Sequence, residues 1–260
     1  MIIVDDQQRQ KYREAARRAT LVLEALRLAV KPGVTSVAID QLAFELCRKY
    51  AAKPNFVGVG EPRNLYKHAT CISINDTVLH GIPSKETLKT GDIVKIDFGL
   101  EYQGLNTDHC CTVVVGEFLS QNDEKLVKTA QSATQAAAHL AVAGNRTGDL
   151  GHILEKIAHQ AGFSVVREYI GHGIGRTLHE EPSVPAFGEP HTGTLLKKGM
   201  VICVEAQLLA GKPGLRQMSD GWTLKTQDGA KAAMFEYMVI VGETEPEFLT
   251  PTLDWPIITT

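Results

Sequence analysis

The sequence predicts an α+β fold made of two similar halves, in each of which helices are followed by strands. The first observation is an internal repeat: segments 88–97 (LKTGDIVKID) and 196–205 (LKKGMVICVE) share Leu, Lys, Gly and a terminal acid at the same offsets. The second is a pair of similar helical segments upstream, 26–46 and 138–158. Because both pairs recur in the same order, we expect one domain over 1–260 with halves of about 6–118 and 119–250.

Four helices account for the α part of the prediction. Apolar residues at helical spacing predict the first over about 6–30, before Pro32 and a glycine stop it. The threonine or the serine at 35–36 can cap a second helix that runs to about residue 50. The corresponding pair in the second half is expected near 122–143 and 149–161.

Four segments rich in β-branched and apolar residues predict strands. They are DIVKIDFGL (92–100), DHCCTVVVG (108–116), MVICVEAQLL (200–209) and AAMFEYMVIVG (232–242). Two belong to each half. We therefore expect the halves to pack across a pseudo-twofold axis with a site between them.

Composition indicates a globular protein of the cytoplasm. The chain is 43% hydrophobic and 22% charged, and its net charge of −3 is too small to imply attraction to nucleic acid or a membrane. Five cysteines without a C-x-x-C pair argue against a disulfide framework or a cysteine-based zinc site. The polar N-terminus lacks the apolar core of a signal peptide, and no apolar run approaches the roughly 18 residues of a membrane span.

Four acids stand inside strand patterns that are otherwise largely apolar: Asp97, Asp108, Glu205 and Glu236. A single acid in a strand is as often an edge or surface residue. Four of them, two from each half, indicate convergence, and their burial requires shared protons or cations. Lys95 is the main positive residue near them in the chain. Divalent metal ions are the simpler explanation, since two would balance four carboxylates.

The segment YIGHGIGRTLHEEP (169–182) surrounds His172 with glycines, which allow a backbone or a ligand to come close. A histidine near glycines is more often an ordinary loop residue, so the segment gains meaning only beside the four acids. With them, His172 would add a nitrogen ligand. An oxygen-rich set with one imidazole suits Mn, Fe or Co, and Zn also fits.

The chain resembles the type I methionine aminopeptidases, which are M24-family metallopeptidases. The resemblance runs from the first helix to about residue 242, and its motifs are CISINDTVLHGIP (71–83), GDIVKIDFG (91–99), YIGHGIGRTLHEEP (169–182), GMVICVEAQ (199–207) and AMFEYMVIV (233–241). It implies the pita-bread (creatinase/aminopeptidase) fold. In that fold, two pseudo-symmetric α+β halves surround a central antiparallel sheet, with the metal site between them.

The resemblance also implies the residues of the site. Five side chains would hold two divalent ions (Fe²⁺, Mn²⁺ or Co²⁺, with Zn²⁺ as a further candidate): Asp97, Asp108, His172, Glu205 and Glu236. Asp108 and Glu236 would bridge the ions. Three residues would be catalytic: His80, His179 and Glu205. Substrate would be contacted by both of these histidines and by a pocket for the methionine side chain, formed by Tyr66, Cys71, Leu178 and Trp222.

Three positions depart from the family's pattern. Ala206 stands where proline usually follows the third acid ligand, and Tyr237 where histidine usually follows the last. We expect both to alter local packing without removing a ligand. Leu178 replaces an aromatic residue before His179, and this change concerns substrate selectivity.

The implied activity is removal of the initiator methionine from new polypeptides by metal-assisted hydrolysis. Glu205 would take a proton from the attacking water, His179 would donate to the oxyanion, and His80 would hold the scissile amide or assist the leaving amine. The expected partners are the N-termini of nascent polypeptides, at the ribosome among other places, with no specific nucleic acid and no membrane. We expect a monomer.

Two alternatives stay open at this point. One is another exopeptidase of the same fold that cleaves before proline, although those enzymes usually carry a much larger N-terminal domain. The other is a non-catalytic binding module that has kept the fold and lost the metals. The presence of all five ligand types argues against the second.

Overall fold

A computed structural model describes residues 1–259. It confirms the four helices: α1 (Asp6–Ala29), α2 (Ser36–Lys49), α3 (Gln121–His139) and α4 (Thr147–Gln160). The first two begin at side-chain caps, because Asp5 accepts a hydrogen bond from the backbone N–H of Gln8, and Thr35 accepts one from that of Ala38. Within the described chain, none of these helices combines the length and apolar composition needed to cross a bilayer.

Helix α3 ends at His139, before the predicted residue 143. The reason is a competing partner from far along the chain. Val142 forms an isolated bridge with Gly242, and the N–H of Ala143 donates to the carbonyl of Gly242 at 2.8 Å. Backbone groups that a further helical turn would use are therefore paired elsewhere.

The four predicted strands are confirmed and are the longest in residues 1–259. The strands are β1 (Lys53–Pro54), β2 (Thr70–Ile74), β3 (Thr77–Leu79), β4 (Ile93–Phe98), β5 (Leu100–Tyr102), β6 (Leu105–Asn106), β7 (His109–Val115), β8 (Ser164–Val165), β9 (Gly171–Gly173), β10 (Glu180–Val184), β11 (Val201–Leu209), β12 (Leu215–Gln217), β13 (Leu224–Thr226), β14 (Ala232–Ile240), β15 (Glu247–Phe248) and β16 (Ile258–Thr259).

The main sheet has the strand order β10-β9-β11-β14-β7-β4-β2, with β8, β15 and β16 attached to β11, β14 and β7. Its strands pair antiparallel, except that β16 runs parallel to β7. Strand β14, the last long strand in the chain, lies at the centre, between β11 and β7. The predicted α+β architecture with a central antiparallel sheet is confirmed.

The helices pack mainly on one face of this sheet, although Tyr12 of α1 also packs with Cys203 on the other face. Val204 and Phe235 belong to an apolar cluster with α3 and α4, whereas Val94 and Ile96 belong to a second one with α1 and α2. Because side chains alternate along a strand, the acids at neighbouring positions point to the opposite face. The face opposite α2, α3 and α4 therefore carries the site.

Two of the residues that depart from the family's pattern lie on the helix-covered face. Ala206 and Tyr237 are fully buried in the cluster of α3 and α4. The amide of Gln135 on α3 donates to the Tyr237 hydroxyl at 3.4 Å. These residues fill space between the sheet and the helices, and the carboxylates beside them in the sequence project from the other face.

Candidate metal centre

Strand register places the acids in a row across the sheet. Asp97 on β4 is paired with Cys110 on β7, Cys110 with Glu236 on β14, and Glu236 with Glu205 on β11. Directly paired residues share a face and lie about 4.5–5.5 Å apart between Cβ atoms. Asp108 precedes β7 and alternation puts it on the face of Cys110. Four acids thus converge from both parts of the chain.

His172 joins this row from β9, which is paired with β11. Its Nε2 lies 3.7 Å from Oδ2 of Asp108, and its Nδ1 lies 3.0 Å from the carbonyl oxygen of Gly173. Since only an N–H can bond that carbonyl, Nδ1 carries the proton and Nε2 presents a lone pair. Burial, together with nearby His179, lowers the pKa of His172 to about 4. The ring is therefore neutral at pH 7, as metal coordination requires.

The glycines beside His172 let three strands approach closely. A Cβ atom at Gly173 would lie 2.2 Å from the carbonyl oxygen of Glu181 on β10, and one at Gly171 would lie 2.4 Å from that of Cys203 on β11. No side chain fits at such distances. The close approach is between backbones, and it fixes His172 in place through the strands on either side.

Three of the four carboxylates, Asp108, Glu205 and Glu236, are buried, and Asp97 is partly buried next to Asp108 and Glu236. Burial raises the pKa of all four, and charge from neighbouring carboxylates raises it further at Asp108, Glu205 and Glu236. Within residues 1–259, Oδ1 of Asp97, Oδ1 of Asp108 and Oε1 of Glu236 are buried without a hydrogen-bond donor. Such atoms are costly to bury unpaired.

Lys95 does not neutralise the acids. Its buried ammonium group donates to the carbonyl oxygens of Asn75 at 2.9 Å and Ala232 at 3.0 Å. The unpaired carboxylate oxygens next to a neutral imidazole therefore form a donor set that fits divalent cations.

Three groups of side chains bring possible ligand atoms within 4.8 Å of one another: Asp97, Asp108 and Glu236; Asp108, His172 and His179; His172, Cys203 and Glu236. They contain four of the five predicted ligands. Glu205 is outside these groups, although it is paired with Glu236, and its Oε2 accepts a hydrogen bond from Gln207 at 2.7 Å. Sequence reasoning assigned no role to Cys203 or Gln207, yet alternation along β11 places both on the face of Glu205.

A cavity of about 660 Å³ opens over the acids. It is lined by every predicted ligand and by every predicted substrate residue: His80, His179, Tyr66, Cys71, Leu178 and Trp222. Sequence reasoning missed several further lining residues: Phe56, Val59, Tyr169, Ile170 and Met234. Met234 could have been found, because it stands two residues before Glu236 on the same face of β14.

One end of the cavity is apolar. Phe56, Tyr66 and Cys71 form a buried cluster against which Leu178 and Trp222 pack. The Tyr66 and Trp222 rings meet edge to face with centroids 5.0 Å apart. The Tyr66 hydroxyl donates to the carbonyl of Thr70 at 2.8 Å, so its polar end is satisfied outside the slot.

The two predicted substrate histidines flank the acids. The His179 ring lies edge to face with the His172 ring, 4.4 Å between centroids, and the His80 ring contacts that of Tyr169 at 5.4 Å. Burial lowers the pKa of His80 to about 4 and also lowers that of His179. Both imidazoles are neutral near pH 7 and can donate one hydrogen bond.

Residues 10–243 match the family described as metallopeptidase family M24. The chain belongs to this family. Among M24 relatives, it is 37% identical to methionine aminopeptidase 1 of Bacillus subtilis, over 92% of this chain and 94% of that protein. This similarity confirms the sequence-based resemblance.

Solved structures agree. A crystal structure of methionine aminopeptidase from Thermotoga maritima matches with a TM-score of 0.91 and 37% identity, covering 96% of this chain and 99% of that chain. Prolidase from Pyrococcus furiosus matches with a TM-score of 0.77 at 22% identity, covering 96% of this chain and 66% of that chain, and shows the fold alone. The pita-bread fold expected for this M24 member is confirmed.

Proposed function

We propose that the chain is a metal-dependent aminopeptidase that removes the N-terminal methionine from polypeptides. The observation that carries the proposal is a single cavity that joins a row of buried carboxylates to an apolar slot. The slot suits an unbranched apolar side chain, and the acids suit the cations of a metallopeptidase. Similarity to methionine aminopeptidases over nearly the whole chain supports it.

Five residues would hold two divalent ions: Asp97, Asp108, His172, Glu205 and Glu236. By resemblance to the family, Asp108 and Glu236 would be shared by both ions. Fe²⁺, Mn²⁺ and Co²⁺ suit this oxygen-rich set, and Zn²⁺ is compatible with it. The chemistry that such ions supply is Lewis acidity, which makes water a nucleophile near neutral pH.

The remaining catalytic and binding roles belong to side chains of the protein. Glu205 accepts the proton of the attacking water. His179, which lines the cavity, donates to the oxyanion of the tetrahedral intermediate. His80 holds the scissile amide or assists the leaving amine. The slot of Tyr66 and Trp222 holds the methionine side chain.

The two alternatives are less well supported. Likeness to prolidases concerns the fold only, at 22% identity. A non-catalytic module without metals would leave the buried carboxylate oxygens around the cavity unpaired, which is costly.

Peptide hydrolysis with defined metals tests the proposal. The metal-free protein is loaded with Mn²⁺ or Co²⁺ and given a Met-Ala-Ser peptide or an Ala-Pro dipeptide. We expect release of methionine, no cleavage of Ala-Pro, and loss of metal binding in Asp108→Ala and Glu236→Ala. Cleavage of Ala-Pro instead would favour the proline-specific alternative. A wild-type protein that neither binds metal nor hydrolyses either peptide would favour the binding module.

The setting proposed for this activity is the cytoplasm, where nascent polypeptides, including those still on the ribosome, present their N-termini to a monomeric enzyme. Analytical ultracentrifugation tests the monomer, and co-sedimentation of the protein with translating ribosomes tests the encounter.

A further inference from the structure

Gln207 is a fully buried amide that contacts one catalytic carboxylate. It stands two residues after Glu205 on β11, on the same face, and its Nε2 donates to Oε2 of Glu205 at 2.7 Å. Residues 1–259 provide no donor to the other oxygen, Oε1. Gln207 does not line the cavity, whereas Glu205 does. The amide therefore contacts Glu205 from outside the cavity lining.

The rest of the Gln207 side chain is poorly satisfied. Its Oε1 is buried without a donor in the described chain, and the second contact of Nε2 is the sulfur of Met234 at 3.8 Å. An unpaired buried carbonyl destabilises a fold. Methionine has the same length and would fill this space without that cost, so fold stability alone does not explain the amide.

Glu205 also keeps one oxygen without a donor in the described chain, like the other acids in the row, but its second oxygen is held by a side-chain amide. Asp97, Asp108 and Glu236 each keep a buried oxygen free of any donor in residues 1–259, as expected of groups that a cation will pair. The amide of Gln207 is a neutral side-chain donor. An amide can fix the orientation of a carboxylate without neutralising its charge, which a lysine or an arginine would do.

We propose that Gln207 is a positioning residue for Glu205. Its amide holds Oε2 against the sheet and leaves Oε1 as the oxygen that serves the metal and the reacting water. This inference rests on the proposed function, because the role of Glu205 as metal ligand and proton acceptor is part of that proposal.

The substitution Gln207→Met tests it, because it removes the donor and keeps the length of the side chain. Partners that orient metal ligands are typically worth on the order of 10–100-fold in metal affinity or activity. We expect kcat for a Met-Ala-Ser peptide to fall by about this factor, with KM changed less than about twofold. We also expect weaker Mn²⁺ binding by calorimetry and an altered visible absorption spectrum of the Co²⁺-loaded protein.

The matched control is Gln135→Met, the same substitution on α3, outside the cavity. It should keep the wild-type kcat and Co²⁺ spectrum. If Gln207→Met fails to fold, Gln207→Asn replaces it, since an amide one methylene shorter does not reach Glu205 and the same losses are expected.

A wild-type kcat and Co²⁺ spectrum in the Gln207 variant would overturn the inference, and so would a rise in KM alone. Failure of the wild-type protein to cleave methionine peptides would instead refute the proposed function. In that case the Mn²⁺ affinity and the Co²⁺ spectrum of Gln207→Met still decide whether Gln207 positions Glu205.

Discussion

At the scale of single residues, His80 has an unusual backbone. Its φ of +53° lies in the left-handed region, which costs residues other than glycine roughly 1–2 kcal/mol. Strain of this kind is retained at functional sites when the surrounding structure holds it in place. Here the strained backbone presents the imidazole to the cavity beside Tyr169.

We predict that His80→Ala and His80→Gly both lose most of their turnover, because each lacks the imidazole. The glycine variant should be more stable by about 1 kcal/mol, since glycine accepts the left-handed backbone that alanine resists. Urea unfolding of the two variants measures the difference. An alanine variant as stable as the glycine variant would show that the backbone is unstrained at this position.

A second prediction concerns Leu178 and the selectivity for the first side chain of the substrate. It lines the cavity and packs against the cluster of Tyr66 and Cys71. An aromatic ring there would contact the methionine sulfur, which is worth about 0.3–1.5 kcal/mol. Leu178→Phe should therefore raise kcat/KM for Met-Ala peptides by roughly two- to tenfold.

Norleucine-initiated peptides are the control for that prediction, because norleucine keeps the length of methionine without the sulfur. The preference for methionine over norleucine should be stronger in Leu178→Phe than in the wild type. An unchanged ratio would mean that residue 178 does not contact the substrate side chain.

At the scale of elements, the packing of β9 between β10 and β11 controls the position of His172. We predict that Gly173→Ala weakens Mn²⁺ binding on the order of tenfold or more, the range expected when the support of a metal ligand is disturbed. The added Cβ would lie 2.2 Å from the carbonyl oxygen of Glu181, so the strands must separate. Titration of the metal-free protein measures the loss.

Gly214→Ala is the matched control for Gly173→Ala. The nearest atoms to its added Cβ belong to the flexible Gln227 side chain, the closest at 2.9 Å, which can move away. Its Mn²⁺ affinity should equal that of the wild type. Equal affinity in Gly173→Ala as well would mean that the close packing of β9 does not set the ligand position.

Local signals explain what the sequence could predict about these elements. Helices α1 and α2 follow from apolar periodicity and from caps such as Asp5 and Thr35, which lie within a few residues of the backbone they serve. The faces of the acids follow from strand alternation alone. These features need no knowledge of distant partners.

Features set by distant partners could not be predicted in this way. The early end of α3 depends on Gly242, about a hundred residues away, and the row of acids depends on the register of four strands. Phe56 and Val59 reach the cavity through a loop with no periodic pattern. The roles of the five ligands came from resemblance to a family, and they stay predictions until metal binding is measured.

At the scale of the whole molecule, the buried charges predict an unusual pH dependence. Burial raises the pKa of Asp97 to about 7 and that of Glu205 to about 8, and it raises those of Asp108 and Glu236 as well. The folded metal-free protein therefore keeps protons that the unfolded chain has already released. Stability must then fall as pH rises through this range.

We predict that the Tm of the metal-free protein decreases between about pH 6.5 and 8. Below this window His80 and His172, whose pKa values are lowered to about 4, act in the opposite sense, because the unfolded chain binds more protons there. Lys95 opposes the decrease in Tm above about pH 7, because burial lowers its pKa to about 7. It is a single group, whereas four carboxylates act in the other direction. Differential scanning calorimetry across the window measures the slope.

Added Mn²⁺ should reverse this dependence, because it binds the deprotonated carboxylates and stabilises the folded state more at pH 8 than at pH 6.5. Asp97→Asn should flatten the slope of the metal-free protein, since it removes one titrating group. A metal-free Tm that rises steadily from pH 6.5 to 8 would contradict the mutual burial of the four acids.

The central place of β14 has a consequence for how the protein is made. Strands β7 and β11 are synthesised before β14 and are not paired with each other; β14 pairs with both. Translation up to β11 therefore yields two flanks of a sheet without the strand that joins them, and without Glu236. The activity proposed here has to await the emergence of the chain through β14 from the ribosome. A growing chain of this protein cannot process any N-terminus before then, its own included.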